Sequence, residues 1–200
     1  TASFAIRGIG TSSQNFGLES SVGLYVDGVY RARQSSVVNN LVDIEAVEIL
    51  RGPQGTLFGK NTPSGAINMR TVSPAGADGR AASETNAFVE ATAGDYGLLN
   101  LSAASNLPLI ENVLALRATV FTSERDGYVN DVALGNDAIN DLDRFGTRLQ
   151  ALYTPTDRFS LRAIADWSEI DEHCCAALTR QDNIFAFGRT GPQGQPIPGT

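Results

Sequence analysis

RFGTRLQALYTPTDRFSLRAIADWS, residues 144–168, separates into two faces when every second residue is taken. In 144–154 one face reads Phe145, Thr147, Leu149, Ala151 and Tyr153, and in 158–168 it reads Phe159, Leu161, Ala163, Ala165 and Trp167. The other face holds Arg144, Arg148 and Gln150, then Arg162, Asp166 and Ser168. A period of two residues is that of an extended strand, whose successive side chains point to opposite sides of the sheet. Both apolar faces carry aromatics at their ends and small or aliphatic residues between. Lipid-facing strands have this form, an apolar band closed by aromatic girdles and backed by a polar interior. Soluble β-sandwiches also alternate, so alternation alone leaves both open.

Three earlier segments repeat the scheme. Residues 87–93 set Ala87, Val89, Ala91 and Ala93 against Phe88, Glu90 and Thr92. Residues 98–107 set Leu99, Leu101, Ala103 and Leu107 against Asn100, Ser102 and Asn106, and 113–123 set Leu114, Leu116, Ala118 and Val120 against Arg117, Thr119 and Ser123. The connections alternate in length. NLPLIE (106–111) and TPTD (154–157) read as short turns, whereas 124–143 and the run from about 170 onward are long, polar and glycine-containing, with GDYG (94–97) a short member of that second set. Short turns at one end and long loops at the other is the asymmetry of an outer-membrane barrel, with the turns on the periplasmic side. Such barrels use an even number of strands from about eight upward, so the rest of the wall is expected beyond Thr200.

Residues 1–75 follow a different grammar: FAIRGIG, VGLYVDGVY, LVDIEAVEIL and SGAINMRTV, punctuated by glycine. Asp27-Gly28 signals a tight turn between short strands. Leu41, Ile44, Val47 and Leu50 recur at helical spacing while Val47 and Ile49 alternate, which predicts a short helix turning into a strand before Arg51. The segment reads as a small α+β domain. Its densest glycine run, RGPQGTLFGKNTPSG (51–65), has the look of a phosphate loop but not the spacing. Gly55 and Gly59 stand one residue too close for G-x-x-x-x-G-K-[ST], and Asn61 follows Lys60 where a metal-binding hydroxyl is needed. A dinucleotide fingerprint is absent too, and Pro53 and Pro63 disfavour a following helix. Tight turns and close backbone packing are the plain use of these glycines.

The chain has 200 residues, 42% hydrophobic, with a net charge of −7. Acids and bases are scattered, and no basic stripe with interleaved aromatics suggests nucleic acid. No window reaches the ~18 apolar residues of a spanning helix, so a membrane role would use strands. The chain opens on strand-like TASFAIRGIG without an initiator Met and closes on the mid-loop run GRTGPQGQPIPGT, so a piece of a longer protein is expected. One His, no G-x-S-x-G elbow and no carboxylate pair placed together leave no catalytic residue to propose. The acids between 124 and 143 lack EF-hand spacing. His173, Cys174 and Cys175 offer metal-ligand chemistry, but adjacent cysteines give poor geometry and no second pair accompanies them. No metal or cofactor is expected.

FAIRGIG, VGLYVDGVY, DIEAVEILRGPQGTLFGKNTPSGAIN and SERDGY stand in the order found in TonB-dependent outer-membrane receptors, and the chain resembles that family over nearly its whole length. The resemblance implies an α+β plug at 1–75 with its N-terminus missing, a linker at 76–83, and, over 84–200, the first strands of an antiparallel transmembrane β-barrel of about 22 strands. It implies energised uptake of a scarce nutrient, an iron–siderophore complex above all, across the cell outer membrane of a Gram-negative bacterium. Its partners would be TonB, acting through a segment absent here, a ferric siderophore, and outer-membrane lipid. The plug motif falls on Arg7, Gly8, Asp27, Gly28, Arg51, Gly52, Pro53, Gly55, Gly59, Gly65 and Asn68. Arg7 and Arg51 would pair with wall carboxylates on strands outside this sequence, and Arg51→Glu is expected to loosen the plug. Substrate contacts would come from 11–17, with Ser12, Gln14 and Asn15, and from 30–38, with Tyr30, Arg31, Arg33 and Gln34. In an oxidising outer compartment Cys174 and Cys175 are expected in a disulfide, with each other or with cysteines beyond Thr200. The competing class is a secreted or surface β-domain that binds or adheres without transport.

Overall fold

The computed structural model describes residues 4–10, 19–32, 41–131 and 135–173. Strands β1 (Ala5–Ile6) and β2 (Ile9–Gly10) form a minimal hairpin. A four-stranded mixed sheet follows, in the order β4-β3-β6-β5. It contains β3 (Val22–Val26), β4 (Val29–Tyr30), β5 (Ile44–Arg51) and β6 (Gly65–Thr71). β3 runs parallel to β6, and β4 and β5 pair antiparallel to β3 and β6. The β3–β4 turn is Asp27-Gly28, with φ of 49° and 79°, the left-handed pair that a two-residue hairpin requires. β3 is buried along nearly its whole length because VGLYV is covered on both faces. Val22 and Leu24 meet Ile6, Ile67 and Met69 in one core, with Phe4 and Val26 packed against it. Tyr25 turns the other way, onto Tyr30 and Phe58.

The helix expected at the start of 41–50 does not form. Leu41 to Asp43 is irregular, and β5 begins at Ile44. Asp43 sits at φ 60°, outside a right-handed helix, and from Ile44 onward the β-branched residues pair with β6. The glycine run that follows closes on itself. Helical turn α1 (Gly55–Phe58) is flanked by internal bonds from Gly52 N–H to Ser64 O (3.1 Å), Gln54 N–H to Thr62 O (3.1 Å) and Gly59 N–H to Gly55 O (3.0 Å). Gly65, at φ 145°, admits no side chain, because a Cβ there would collide with the Leu50 carbonyl and Ile6.

The remaining strands form an open meander, β13-β12-β9-β8-β7, every neighbour antiparallel. Its members are β7 (Asn86–Ala93), β8 (Leu99–Ile110), β9 (Leu114–Arg125), β12 (Leu142–Thr156) and β13 (Phe159–Ile170). The five expected strands are all present, each longer than expected. NLPLIE is mostly strand, and the turn is Glu111 to Val113; TPTD is strand up to Thr156. Each of these strand ends absorbs a proline at a register shift, Pro108 in β8 and Pro155 in β12, where a missing N–H is tolerated. The long 124–143 connection carries a hairpin of its own, β10 (Val129–Asp131) and β11 (Gly135–Ile139).

The apolar face of the meander is exposed: Val89 is 80% accessible, Leu149 53%, Leu161 55% and Trp167 55%. Phe145 packs edge-on against Trp167 at 5.8 Å between centroids, and Tyr153 against Phe159 at 6.3 Å. These two aromatic rows are separated by about 26 Å of strand, or about 20 Å at a tilt of ~40°, close to the ~25 Å band of an outer-membrane wall. Among the described residues no helix is long and apolar enough to cross a membrane. The opposite, polar face of the meander receives the mixed sheet.

Candidate functional site

The two parts meet through charged and amide side chains. Asp43, just before β5, enters the wall with its side chain 1% exposed, and Arg117, in mid-β9, meets it at 5%. Arg117 Nε and Nη2 donate to the two carboxylate oxygens at 2.7 and 2.5 Å, Thr119 Oγ1 donates to Oδ2 at 2.7 Å, and Arg117 Nη1 donates to Asn106 Oδ1 at 2.7 Å. The fork of the guanidinium fits a carboxylate with two parallel bonds, the strongest ionic contact available to side chains. Every group in this cluster is satisfied, which is the condition for burying charge without a large penalty.

A second cluster lies beside it. Asp27, in the β3–β4 turn, accepts from Thr71 N–H (3.0 Å) and Thr71 Oγ1 (2.8 Å), and Arg162 Nη1 on β13 approaches its Oδ1 at 3.4 Å. Arg162 Nη2 also donates to Thr71 Oγ1 (2.9 Å) and Gln150 Oε1 (2.6 Å), while Gln150 Nε2 donates to Val72 O (2.9 Å). Beside the first cluster, Arg148 Nε donates to Asp166 (2.6 Å) and its Nη1 to Val42 O (3.1 Å). Both docking carboxylates occupy left-handed backbone positions, Asp27 at φ 49° and Asp43 at φ 60°, which Asp tolerates better than most residues.

The segment after β6 is fastened differently. Ala75 and Ala81 bridge each other, Ala81 bridges Asn112, and Ala81 N–H donates to Thr154 Oγ1 at 2.9 Å. Ala81 and Ala82 pack with Ala115 and Leu152 in a small apolar core. Arg80 reaches Asp157 at 3.0 Å and the Asn112 carbonyl at 3.2 Å. The strap is therefore pinned to both turns at this end of the wall. Above the Val42–Asp43 turn a cleft of about 330 Å³ opens, lined by Glu90, Asn100, Ser123 and Arg144 among others.

The residues singled out from sequence fall in several places. Arg7 and Gly8 form the exposed β1–β2 turn, and Arg51 is exposed at the end of β5. Among the described residues neither arginine meets a carboxylate, and the contacts to the described wall have the opposite polarity, acid on the sheet and arginine on the wall. Asp27 reaches the wall, and Gly28 shapes its turn. Gly52, Pro53, Gly55 and Gly59 shape the α1 loop, and Asn68 Nδ2 donates to Glu48 Oε2 at 3.1 Å. Tyr30 accepts from Asn61 Nδ2 at 3.1 Å, and Arg31 N–H bonds the Leu24 carbonyl. The hydroxyl of Tyr25 donates to the Phe58 carbonyl, and burial, with Tyr30 adding to it, raises its pKa. Ser12, Gln14, Asn15, Arg33, Gln34, Cys174 and Cys175 lie outside the described residues. Sequence reading placed Arg117, Gln150, Arg148 and Arg162 on the polar faces of strands but gave them no task, and it passed over Asp43. Mid-strand arginines facing a lumen were the available signal.

A family model described as the TonB-dependent receptor plug domain matches residues 1–66. The pesticin receptor of Yersinia pestis is 42% identical over 73 residues, spanning 36% of this chain and 10% of that receptor. The catecholate siderophore receptor Fiu of Escherichia coli is 36% identical over 58 residues, spanning 29% of this chain and 7% of that protein. Among solved structures, the ferric yersiniabactin uptake receptor FyuA from Yersinia pestis superposes with a TM-score of 0.64 at 26% identity, covering 75% of this chain and 23% of its own. This chain thus spans a small part of the relatives it matches. The plug match ends within β6 and the shared fold continues through the wall, so residues 1–66 carry a TonB-dependent receptor plug-domain sheet, docked by its acids onto the inner face of a wall of β-barrel strands.

Proposed function

We propose that residues 1–75 act as the plug, 76–83 as its connecting strap and the residues from 84 onward as wall strands of an outer-membrane receptor of a Gram-negative bacterium. The receptor takes up an iron–siderophore complex, and TonB drives the plug movement that admits it. The observation that carries this reading is the kind of contact on each side of β6. The plug meets the wall through the Asp43–Arg117 and Asp27–Arg162 pairs and single polar bonds, whereas the strap adds an apolar core to its ion pair and hydrogen bonds. Polar partners can be exchanged for water or for a ligand as they separate, while an apolar interface of similar size resists parting. The outward aromatic rows suit lipid, and two relatives carry siderophore names.

The test uses the full-length receptor in a strain stripped of other siderophore receptors. Labelled ferric iron is supplied as catecholate, phenolate and hydroxamate complexes, with and without TonB. Uptake of one class, lost without TonB, is expected. Uptake that persists without TonB, or release of the protein from membranes by carbonate washing, would overturn the reading in favour of a surface binding module.

A further inference from the structure

The chain carries a net charge of −7, yet the inward face of the wall is rich in arginine. Arg117, Arg125, Arg144, Arg148 and Arg162 share that face with two strand acids, Glu90 and Asp166. Arg144 pairs with Glu172 and Arg148 with Asp166, both carried by the wall or its extension. Arg117 and Arg162 differ. Their carboxylate partners, Asp43 and Asp27, belong to the plug, and the wall groups that touch them, Asn106 and Gln150, are neutral. Gln150 sits opposite Arg117 in the ladder and accepts from Arg162, so the two guanidiniums flank one amide. Arg117 and Arg162 stand two strands apart, about 10 Å across the ladder, and Arg148 lies one inward-facing position beyond Gln150, level with Thr119 and Asp166.

Plug withdrawal removes both counter-charges and leaves two wall guanidiniums exposed, with no other carboxylate on them among the described residues. Water can hydrate the uncovered guanidiniums, but only another anion restores the charge-assisted bonds that the plug carboxylates made. The guanidinium fork donates to a pair of anionic oxygens, on a carboxylate or a catecholate alike. We infer that Arg117 and Arg162, flanking Gln150, form a latent anion site, occupied at rest by Asp43 and Asp27 and taken over by an anionic cargo complex as the plug withdraws. This rests on the uptake reading and narrows it. The cargo carries net negative charge, and it replaces the stopper's own carboxylates on the wall.

The test compares two double variants of the full receptor in cells. R117Q/R162Q removes the site, and D27N/D43N removes the same ion pairs but keeps the arginines. The probes are a trianionic ferric tris-catecholate and an uncharged ferric trihydroxamate, each followed for binding to de-energised cells and for uptake by energised ones. The wild type is expected to carry the anionic complex. In R117Q/R162Q its uptake falls by about tenfold or more, the size of lost charge-assisted hydrogen bonds, with binding unchanged because the site is covered at rest. D27N/D43N retains or raises the rate, and R117K/R162K restores most of it. Should R117Q/R162Q fail to assemble, Arg162→Gln alone, with its partly exposed side chain, is expected to show the same split between uptake and binding. Equal losses in the two double variants, or a wild type that carries the uncharged complex alone, overturn the anion site while leaving uptake standing. A wild type that carries neither probe nor any complex in the wider panel overturns uptake itself, and the site with it.

Discussion

Asp43→Asn isolates the contact that seats the plug. Asn keeps the left-handed backbone at φ 60° and one acceptor oxygen, so the change removes charge with little disturbance of shape. It leaves Arg117, 5% exposed, with Asn106 as its remaining strong acceptor. Breaking a buried ion pair by changing one member costs about 3–5 kcal/mol, and the retained oxygen argues for the lower end, about 3 kcal/mol. The reporter is the Val72 amide, which donates to the Asp43 carbonyl at 3.0 Å and is freed when the 41–43 turn lifts. Opening made easier by about 3 kcal/mol speeds its hydrogen exchange by about a hundredfold. The assay is hydrogen–deuterium exchange on the full receptor in detergent, read by mass spectrometry over the peptide containing Val72. Peptides from β9 and β12 serve as wall controls. A change below about threefold at Val72, or an equal acceleration in β9 and β12, would refute the idea that Asp43 locally holds the plug to the wall.

Two glycines in one loop should behave oppositely. Gly65→Ala drives a methyl into the Leu50 carbonyl at φ 145° and should abolish stable plug folding, seen as loss of protected β5–β6 amides. Gly55→Ala enters open space in a helical turn and should be neutral or stabilising by up to about 1 kcal/mol. Leu149→Arg places a charge on the exposed face in mid-β12, and should cost about 2–4 kcal/mol and lower the yield of heat-modifiable receptor if that face meets lipid; unchanged assembly would count against a membrane wall. For Asp141, burial opposes ionisation, but the His173 backbone N–H and ring more than offset it and hold the carboxyl below its ordinary value. A depressed carboxylate contributes stability above its unfolded pKa, lost as pH falls through the folded one. The His173 amide should therefore stay protected from neutral pH down to about 4 and lose protection only below it, after correction for intrinsic exchange.

Much of the wall was legible because its signal is local. Phe145 to Tyr153 and Phe159 to Trp167 alternate with a period set by strand geometry, whatever those strands touch. The turns were legible less well, since Pro108 and Pro155 look like stops in one dimension, whereas paired strands accommodate them at register shifts. The helical spacing of Leu41, Ile44, Val47 and Leu50 misled for a related reason. Local periodicity carries no information about β6, which recruits Ile44–Arg51 as an edge strand, or about the wall, which takes Asp43.

The sequence by itself determined two grammars, a glycine-punctuated α+β segment and a series of amphipathic strands, together with a loop whose spacing could not serve phosphate. Tertiary structure alone decided which charges meet. Asp43 and Arg117 lie 74 residues apart and Asp27 and Arg162 lie 135 apart, distances over which no periodicity links one side chain to another. A charge's partner is fixed by where the fold places it, and a buried charge must have one. That is why the arginines of β9 and β13 read in sequence as a polar lining and in the folded protein as the seat of the plug.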